Sequence, residues 1–212
     1  MSARLWAIGV ALGVGLTLAA CSGSGTASAP PTTTMPRSPS GPTSGGGASS
    51  SPTTVAVHAA ACQVSQLRIA AGRSGAAGGS AGQTTLFTNV GHTACSLTGY
   101  PGVAALSAQG VHVAQAQRRM SGMLGGIPVG TTTPSVTLES GQTASAEIEG
   151  IDRPLGAAVS CPIYPTFLVT APGETHSVAI TAGVAGGNQP GFLGCAPITV
   201  NPVVPGMSGS LS

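Results

Sequence analysis

Lysine is absent from the chain, and charge of either sign is scarce. Among 212 residues there are seven basic side chains, all arginine, and five acidic ones, giving a formal net charge of +2 and a charged fraction of 6%. A charge so small gives a polyanionic partner nothing to hold. Aromatic residues make up 3% of the chain, too few for base stacking, so nucleic-acid binding is excluded. Several chemical signatures are missing as well. There is no Cys-x-x-Cys, no His-x-His and no His-Glu-x-x-His, so a zinc or copper–zinc centre lacks its usual ligands. No Gly-x-Ser-x-Gly elbow comes with a plausible triad. The glycine-rich Ser121–Gly130 stretch lacks the Gly-Lys-Ser/Thr ending of a phosphate loop.

What the chain does have is organised in blocks. Arg4 is followed by an apolar run from Leu5 to Ala20, which reads as an export signal. The run has 16 residues, including three glycines and a threonine. A membrane-spanning helix needs about 20 apolar residues, so a transmembrane anchor is the weaker reading. Leu18-Ala19-Ala20-Cys21 resembles the lipobox of bacterial lipoproteins, in which the cysteine thiol is joined to diacylglycerol and a peptidase cuts just before it. The resemblance implies that residues 1–20 are removed and that Cys21 becomes a lipidated (palmitate-bearing) N-terminus. Each buried methylene adds about 0.8 kcal/mol, and two chains hold where one is marginal. The partner implied is therefore the membrane itself, at its extracytoplasmic face. An ordinary secretory signal with an incidental cysteine is the alternative.

Residues 21–57 are rich in Ser, Thr, Pro and Gly and have no apolar period, which suits a flexible tether. The same composition occurs in O-glycosylated stalks, with Thr32, Thr33 and Thr34 as candidate acceptors. From about residue 58 to 205, short apolar runs alternate with turn signals such as Asn89-Val90-Gly91 and Glu139-Ser140-Gly141. The expected strands are Val64–Ala70, Thr84–Asn89, Ala94–Leu97, Val103–Leu106, Val111–Ala116, Ser135–Leu138, Ala144–Glu149, Thr166–Thr170, Ser177–Thr181 and Ile198–Asn201. This pattern predicts an all-β, immunoglobulin-like β-sandwich, with a partly closed barrel as the alternative. Residues 206–212 read as a disordered tail.

Cys62, Cys95, Cys161 and Cys195 remain after Cys21 is set aside. In an exported chain an even number suggests two disulfides, and three connectivities are open. Cys62–Cys95 with Cys161–Cys195 is favoured, because each pair joins neighbouring strand regions at similar separations. A metal–thiolate site lacks the spacing it needs.

The stretch Thr84–Val103 contains Thr88-Asn89, Gly91, Cys95-Ser96-Leu97 and Gly99-Tyr100-Pro101-Gly102. In this it resembles an actinobacterial family of exported proteins that carries the uncharacterised domain DUF4232. Weaker pieces follow the same order from Cys62 to Pro205, among them Val136-Thr137-Leu138, Gly141, Cys161, Pro172-Gly173 and Cys195. The resemblance implies a disulfide-bonded β-sandwich, often on a tethered chain, with no established catalytic activity and no functional residue to carry over. The Gly-Tyr-Pro-Gly block reads as architecture, with the Tyr100 ring buried and its hydroxyl hydrogen-bonded.

Candidate chemistry is thin. Glu147 and Glu149 share a strand face, expected to be solvated. His58 and His92 are expected to be exposed. His112, Met120 and Met123 form a soft-ligand set that suits copper(I). The loop from Gln117 to Pro134 carries Arg118, Arg119, Met120 and Met123 and is a candidate contact surface for an envelope protein or glycan. Removing Met120–Ile127 is then expected to spare the fold. The expectation is a noncatalytic envelope lipoprotein with no cofactor. A small exported hydrolase, a copper-binding envelope protein or a purely structural surface protein are the alternatives.

Overall fold

The structure, a computed structural model, describes residues 59–157 and 160–211. The export signal, the whole tether with Cys21, and His58 lie outside the described residues. Strands β1 (Leu67–Ala77), β2 (Ser80–Asn89), β3 (Cys95–Thr98), β4 (Gly102–Leu106), β5 (His112–Gln115), β6 (Gln117–Arg118) and β7 (Ser135–Leu138) come first. They are followed by β8 (Thr143–Ile151), β9 (Ile163–Tyr164), β10 (Thr166–Thr170), β11 (Ser177–Thr181), β12 (Phe192–Leu193), β13 (Cys195–Val200) and β14 (Val204–Pro205). The one helical element among the described residues is a 3₁₀ turn at Val64–Gln66, where the sequence suggested the start of a strand.

Two sheets face each other. One runs β1-β2-β8-β13-β6, with β14 also pairing β8; the other runs β11-β10-β4-β5. The chain changes sheet between β5 and β6, and Ala116 N–H still donates to Val103 O at 2.8 Å. Two short ribbons, β3–β7 and β9–β12, complete the framework. The arrangement is the expected sandwich and not a closed barrel.

The period-2 alternation explains the core. Ala144, Ala146 and Ile148 of β8 point inward with Phe87, while Val103, Ala105, Phe167 and Val169 answer from the opposite sheet. All three phenylalanines are fully buried. Phe167 meets Phe192 edge-on at a centroid distance of 5.4 Å, a favoured aromatic geometry. With so few large side chains, each fully buried one matters, at roughly 1.5–3 kcal/mol apiece.

The family-like stretch after β2 is a turn device. Asn89 is fully buried. Its side-chain amide donates to Thr93 O and Leu138 O at 2.9 Å each, and its Oδ1 accepts from Gly91 N–H at 2.9 Å. One asparagine thus closes its own turn and fastens it to β7. Gly99, at φ +97°, occupies a conformation that other residues resist. Tyr100 departs from expectation. It is half-buried at the surface, with the Arg118 guanidinium 6.0 Å from its ring centroid, a cation–π distance.

Cys62 is bonded to Cys95 and Cys161 to Cys195, the favoured pairing. The first bridge pins the incoming chain to β3, reinforced by Cys62 N–H donating to Ser96 O at 2.9 Å. The second ties the approach to β9 to the start of β13. Their sequence separations are 33 and 34 residues. For loops of that length the chain-entropy relation gives about 3–4 kcal/mol per bridge. Replacing either pair with serine should lower the urea-unfolding free energy by about that amount, read from equilibrium denaturation of wild-type and variant proteins.

Candidate functional site

The outer face of β8 is where structure and sequence part. Ser145, Glu147 and Glu149 do point away from the core, as alternation requires. That face is nevertheless not solvated: Glu147 is 5% exposed and Glu149 6%. Two segments cover it. One is the loop between β6 and β7, which runs out from Met120 and returns at Ile127. The other is the C-terminal segment Gly206–Leu211, which is bonded down and not the disordered tail expected.

The loop is closed by its own backbone. Ile127 N–H donates to Met120 O at 2.7 Å, and Gly122 N–H donates to Gly125 O at 2.9 Å. Its tip turns three successive N–H groups onto one carboxylate. Met123 N–H donates to Glu149 Oε2 at 2.8 Å; Leu124 and Gly125 N–H donate to Oε1 at 3.1 and 2.9 Å. Such a concave array of backbone donors is an anion nest, and the anion here belongs to the protein. The C-terminal segment fastens alongside. Gly209 N–H donates to Ser145 Oγ at 2.9 Å, Gly126 N–H to Gly209 O at 2.8 Å and Leu211 N–H to Gly126 O at 2.9 Å.

Glycine is required where these segments pass over β8. A Cβ on Gly125 would come within 2.6 Å of the Glu147 Cβ, and one on Gly209 within 2.7 Å of Glu147 Oε2. Real side chains essentially never approach so closely. Gly209 also sits at φ +72°.

Glu147 is served differently from its neighbour. Thr84, its register partner on β2, donates through Oγ1 to Glu147 Oε2 at 2.8 Å. Burial pushes its carboxyl up from 4.5 to about 8, and the nearby Glu149 charge adds to this. The Thr84 hydrogen bond and the Arg73 guanidinium pull the other way. Burial wins because it disfavours the charged form directly, while one hydrogen bond and the Arg73 charge offset only part.

Two clefts flank the loop. One, of about 470 Å3, is bordered by Ser80, Arg119, Ser121, Glu149 and Thr199. The other, of about 390 Å3, is bordered by Arg73, Ser74, Thr84, Leu124 and Glu147. Each therefore sets one arginine and several hydroxyls beside one of the two glutamates.

The residues singled out from the loop separate. Arg118 lies in β6 beside Tyr100, and Arg119 is held through its backbone, with N–H donating to Val200 O at 3.0 Å. Met120 is half-buried at the start of the loop. Met123 is 66% exposed and lies across the turn at Gly78. His112 belongs to the edge strand β5 of the other sheet, with Nε2 3.0 Å from Ala114 O. His112 thus belongs to the other sheet, while Met120 and Met123 share the loop. Among the described residues, no group of three or more His, Cys, Asp or Glu is placed to hold a metal ion. His92 is exposed, as expected.

Sequence reasoning missed the fastening of Glu149, since backbone donors have no residue signature. The available signal was two acidic residues on an otherwise uncharged strand, with a loop containing Gly122, Gly125 and Gly126 elsewhere in the chain. The covering also reverses the expectation for Met120–Ile127. Its removal would strip three donors from a buried carboxylate and disturb the fold.

Fold and site together define a disulfide-braced, two-sheet β-sandwich domain whose outer face is strapped by backbone. The family model described as Domain of unknown function (DUF4232) matches residues 62–204, and the chain belongs to that family. Curated proteins and solved structures give no match.

The raised carboxyl has a calculable consequence. Between 4.5 and about 8 the folded state keeps a proton that the unfolded state has lost. The contribution is therefore fully present below 4.5 and is lost as pH rises through about 8. The slope in that window is about 1.4 kcal/mol per pH unit. Glu147→Gln, which can still accept from Thr84, should flatten the profile and be more stable than wild type by about 4 kcal/mol at pH 8. Urea denaturation at a series of pH values checks this. Glu149→Ala should act oppositely, costing on the order of 3 kcal/mol by leaving three loop donors unpaired.

Proposed function

We propose that the chain is a lipid-tethered, extracytoplasmic module that binds an envelope protein or glycan and performs no catalysis. The observation that carries the reading is the distribution of its cysteines. Four are bonded in two pairs within the domain, and Cys21 is the fifth, standing directly after Leu18-Ala19-Ala20. Disulfides belong to an oxidising compartment, which accords with an exported chain. A lipid on Cys21 would hold the domain at the outer face of the membrane, with residues 22–57 as tether. Two acyl chains make such attachment stable.

The noncatalytic part of the reading is supported by how the carboxylates are used. A general acid or base must reach a substrate proton. Glu149 has both oxygens committed to loop N–H groups, and Glu147, at the edge of its cleft, is covered by Gly125 and Gly209 and only 5% exposed. The pair serves as a fastening for backbone. A small exported hydrolase is the second reading. It draws on Glu147, whose raised carboxyl beside a second carboxylate is an acid–base arrangement seen at active sites. Activity-based probes on the soluble domain separate the two, and labelling abolished by Glu147→Gln would favour the enzyme.

For the anchor, intact-mass measurement of the membrane-extracted protein should give a chain that begins at Cys21 and carries acyl mass. Cys21→Ala should move the protein to the soluble fraction with the domain still folded. Membrane attachment that persists in Cys21→Ala would instead favour Leu5–Ala20 as a spanning anchor. In-cell crosslinking from the two clefts, followed by mass spectrometry, would identify the partner.

A further inference from the structure

The loop Ser121–Ile127 and the segment Gly206–Leu211 are bound to β8 and to each other, but neither belongs to the sandwich core. Their fastenings converge on the outer face of one strand: three N–H groups on Glu149, one on Ser145 Oγ, and the reciprocal pair between Gly126 and the C-terminal segment. Glu147 lies at the centre of this arrangement. Gly125 and Gly209 pass directly over it, and Leu124 lies against Gly82 at its side.

We propose that these two segments form a proton-operated latch, which stays shut while Glu147 is protonated and opens locally, with the sandwich intact, when Glu147 ionises. The argument is steric and electrostatic. Glu149 is already served as an anion by three donors. A second charge at Glu147 would stand beside it with only Thr84 donating, and two like charges in a buried site cannot both be accommodated. Gly125 and Gly209 overhead leave no room for the side chain to move that way, and at the edge of the Arg73 cleft, which Leu124 of the latch also lines, it is only 5% exposed. Relief requires water at Glu147, and the removable wall is the latch. β2 and β8 are held by continuous antiparallel pairing from Ser80–Ile151 to Thr88–Thr143. Local opening of a segment with few core contacts is the easier path.

Among the described residues, the charged groups that bear on Glu147 are Glu149 on its own strand and Arg73 from β1. Arg119 borders the Glu149 cleft on the far side of the loop. The latch segments themselves bring no titratable side chain. Arg73 alone favours ionisation by its charge, so it lowers the pH at which the latch opens.

Amide hydrogen exchange on the full chain, expressed as protection factors corrected for intrinsic exchange, tests this between pH 6 and pH 9. Gly126, Gly209 and Leu211 amides should lose protection at least tenfold at pH 9, while β2 and β8 amides keep theirs. Glu147→Gln should abolish the difference, and Arg73→Gln should move the midpoint to higher pH. The Arg73 variant also keeps the test decisive if Glu147→Gln folds poorly. Unchanged protection of the latch, equal loss in β2 and β8, or the same loss in Glu147→Gln would each overturn the proposal.

Discussion

Strand β8 is buried on both faces, and the two faces need opposite chemistry. Inward, Ala144, Ala146 and Ile148 meet an apolar core, which asks only for shape. Outward, Ser145, Glu147 and Glu149 are polar, and burying them would be costly if they lacked partners. The covering segments supply those partners from backbone N–H groups and a neighbouring threonine. The loop between β6 and β7, the course of the chain after β14 and the glycines at Gly125 and Gly209 all answer this need. Even β13 and β14 follow it. They are two pieces of one path laid along the same edge of β8, interrupted near Asn201, whose N–H donates to Glu147 O at 2.9 Å.

The scarcity of large side chains fits the same logic. A domain with three phenylalanines cannot cover both faces of a sheet with aromatic bulk. It covers the second face with backbone laid flat, which glycine permits because it brings no Cβ. Polar strand residues then become an asset, since backbone needs acceptors as well as contact. Asn201 shows the limit of the solution. Its Nδ2 donates to Arg119 O at 3.1 Å, but its buried Oδ1 has no hydrogen-bond partner among the described residues.

Most of the sandwich was legible in the sequence because alternation and turn chemistry are local. The strands at Ser135–Leu138, Thr166–Thr170 and Ser177–Thr181 lie where alternation placed them. The disulfide pairing was legible because each bridge joins elements close in sequence. The distal β1–β2 hairpin was not, since Arg73–Ala77 and Gly79–Gly82 are too rich in glycine and alanine to show a period. The site was half legible. Alternation correctly put Glu147 and Glu149 on one face, but what lies over a face is a tertiary fact. The Glu149 nest is built from N–H groups that every residue but proline possesses. The C-terminal segment was misread for a related reason. Its Gly and Ser composition suits disorder, yet the same small residues let it lie against β8.

The two devices that hold this domain respond to different conditions. The disulfides tie the ends of strands to neighbouring segments, at Cys62–Cys95 and Cys161–Cys195, and answer to redox state. The carboxylate fastening sits mid-strand on β8 and answers to protons, because one of its two acids is raised to about 8. Neither device needs the other's chemistry. In an oxidising compartment the bridges are constant, so the outer face of β8 is left as the part of the domain whose closure varies with its surroundings. That face also borders both clefts. A partner bound there would meet a surface whose shape depends on whether Glu147 holds its proton, while the sheet beneath it stays fixed.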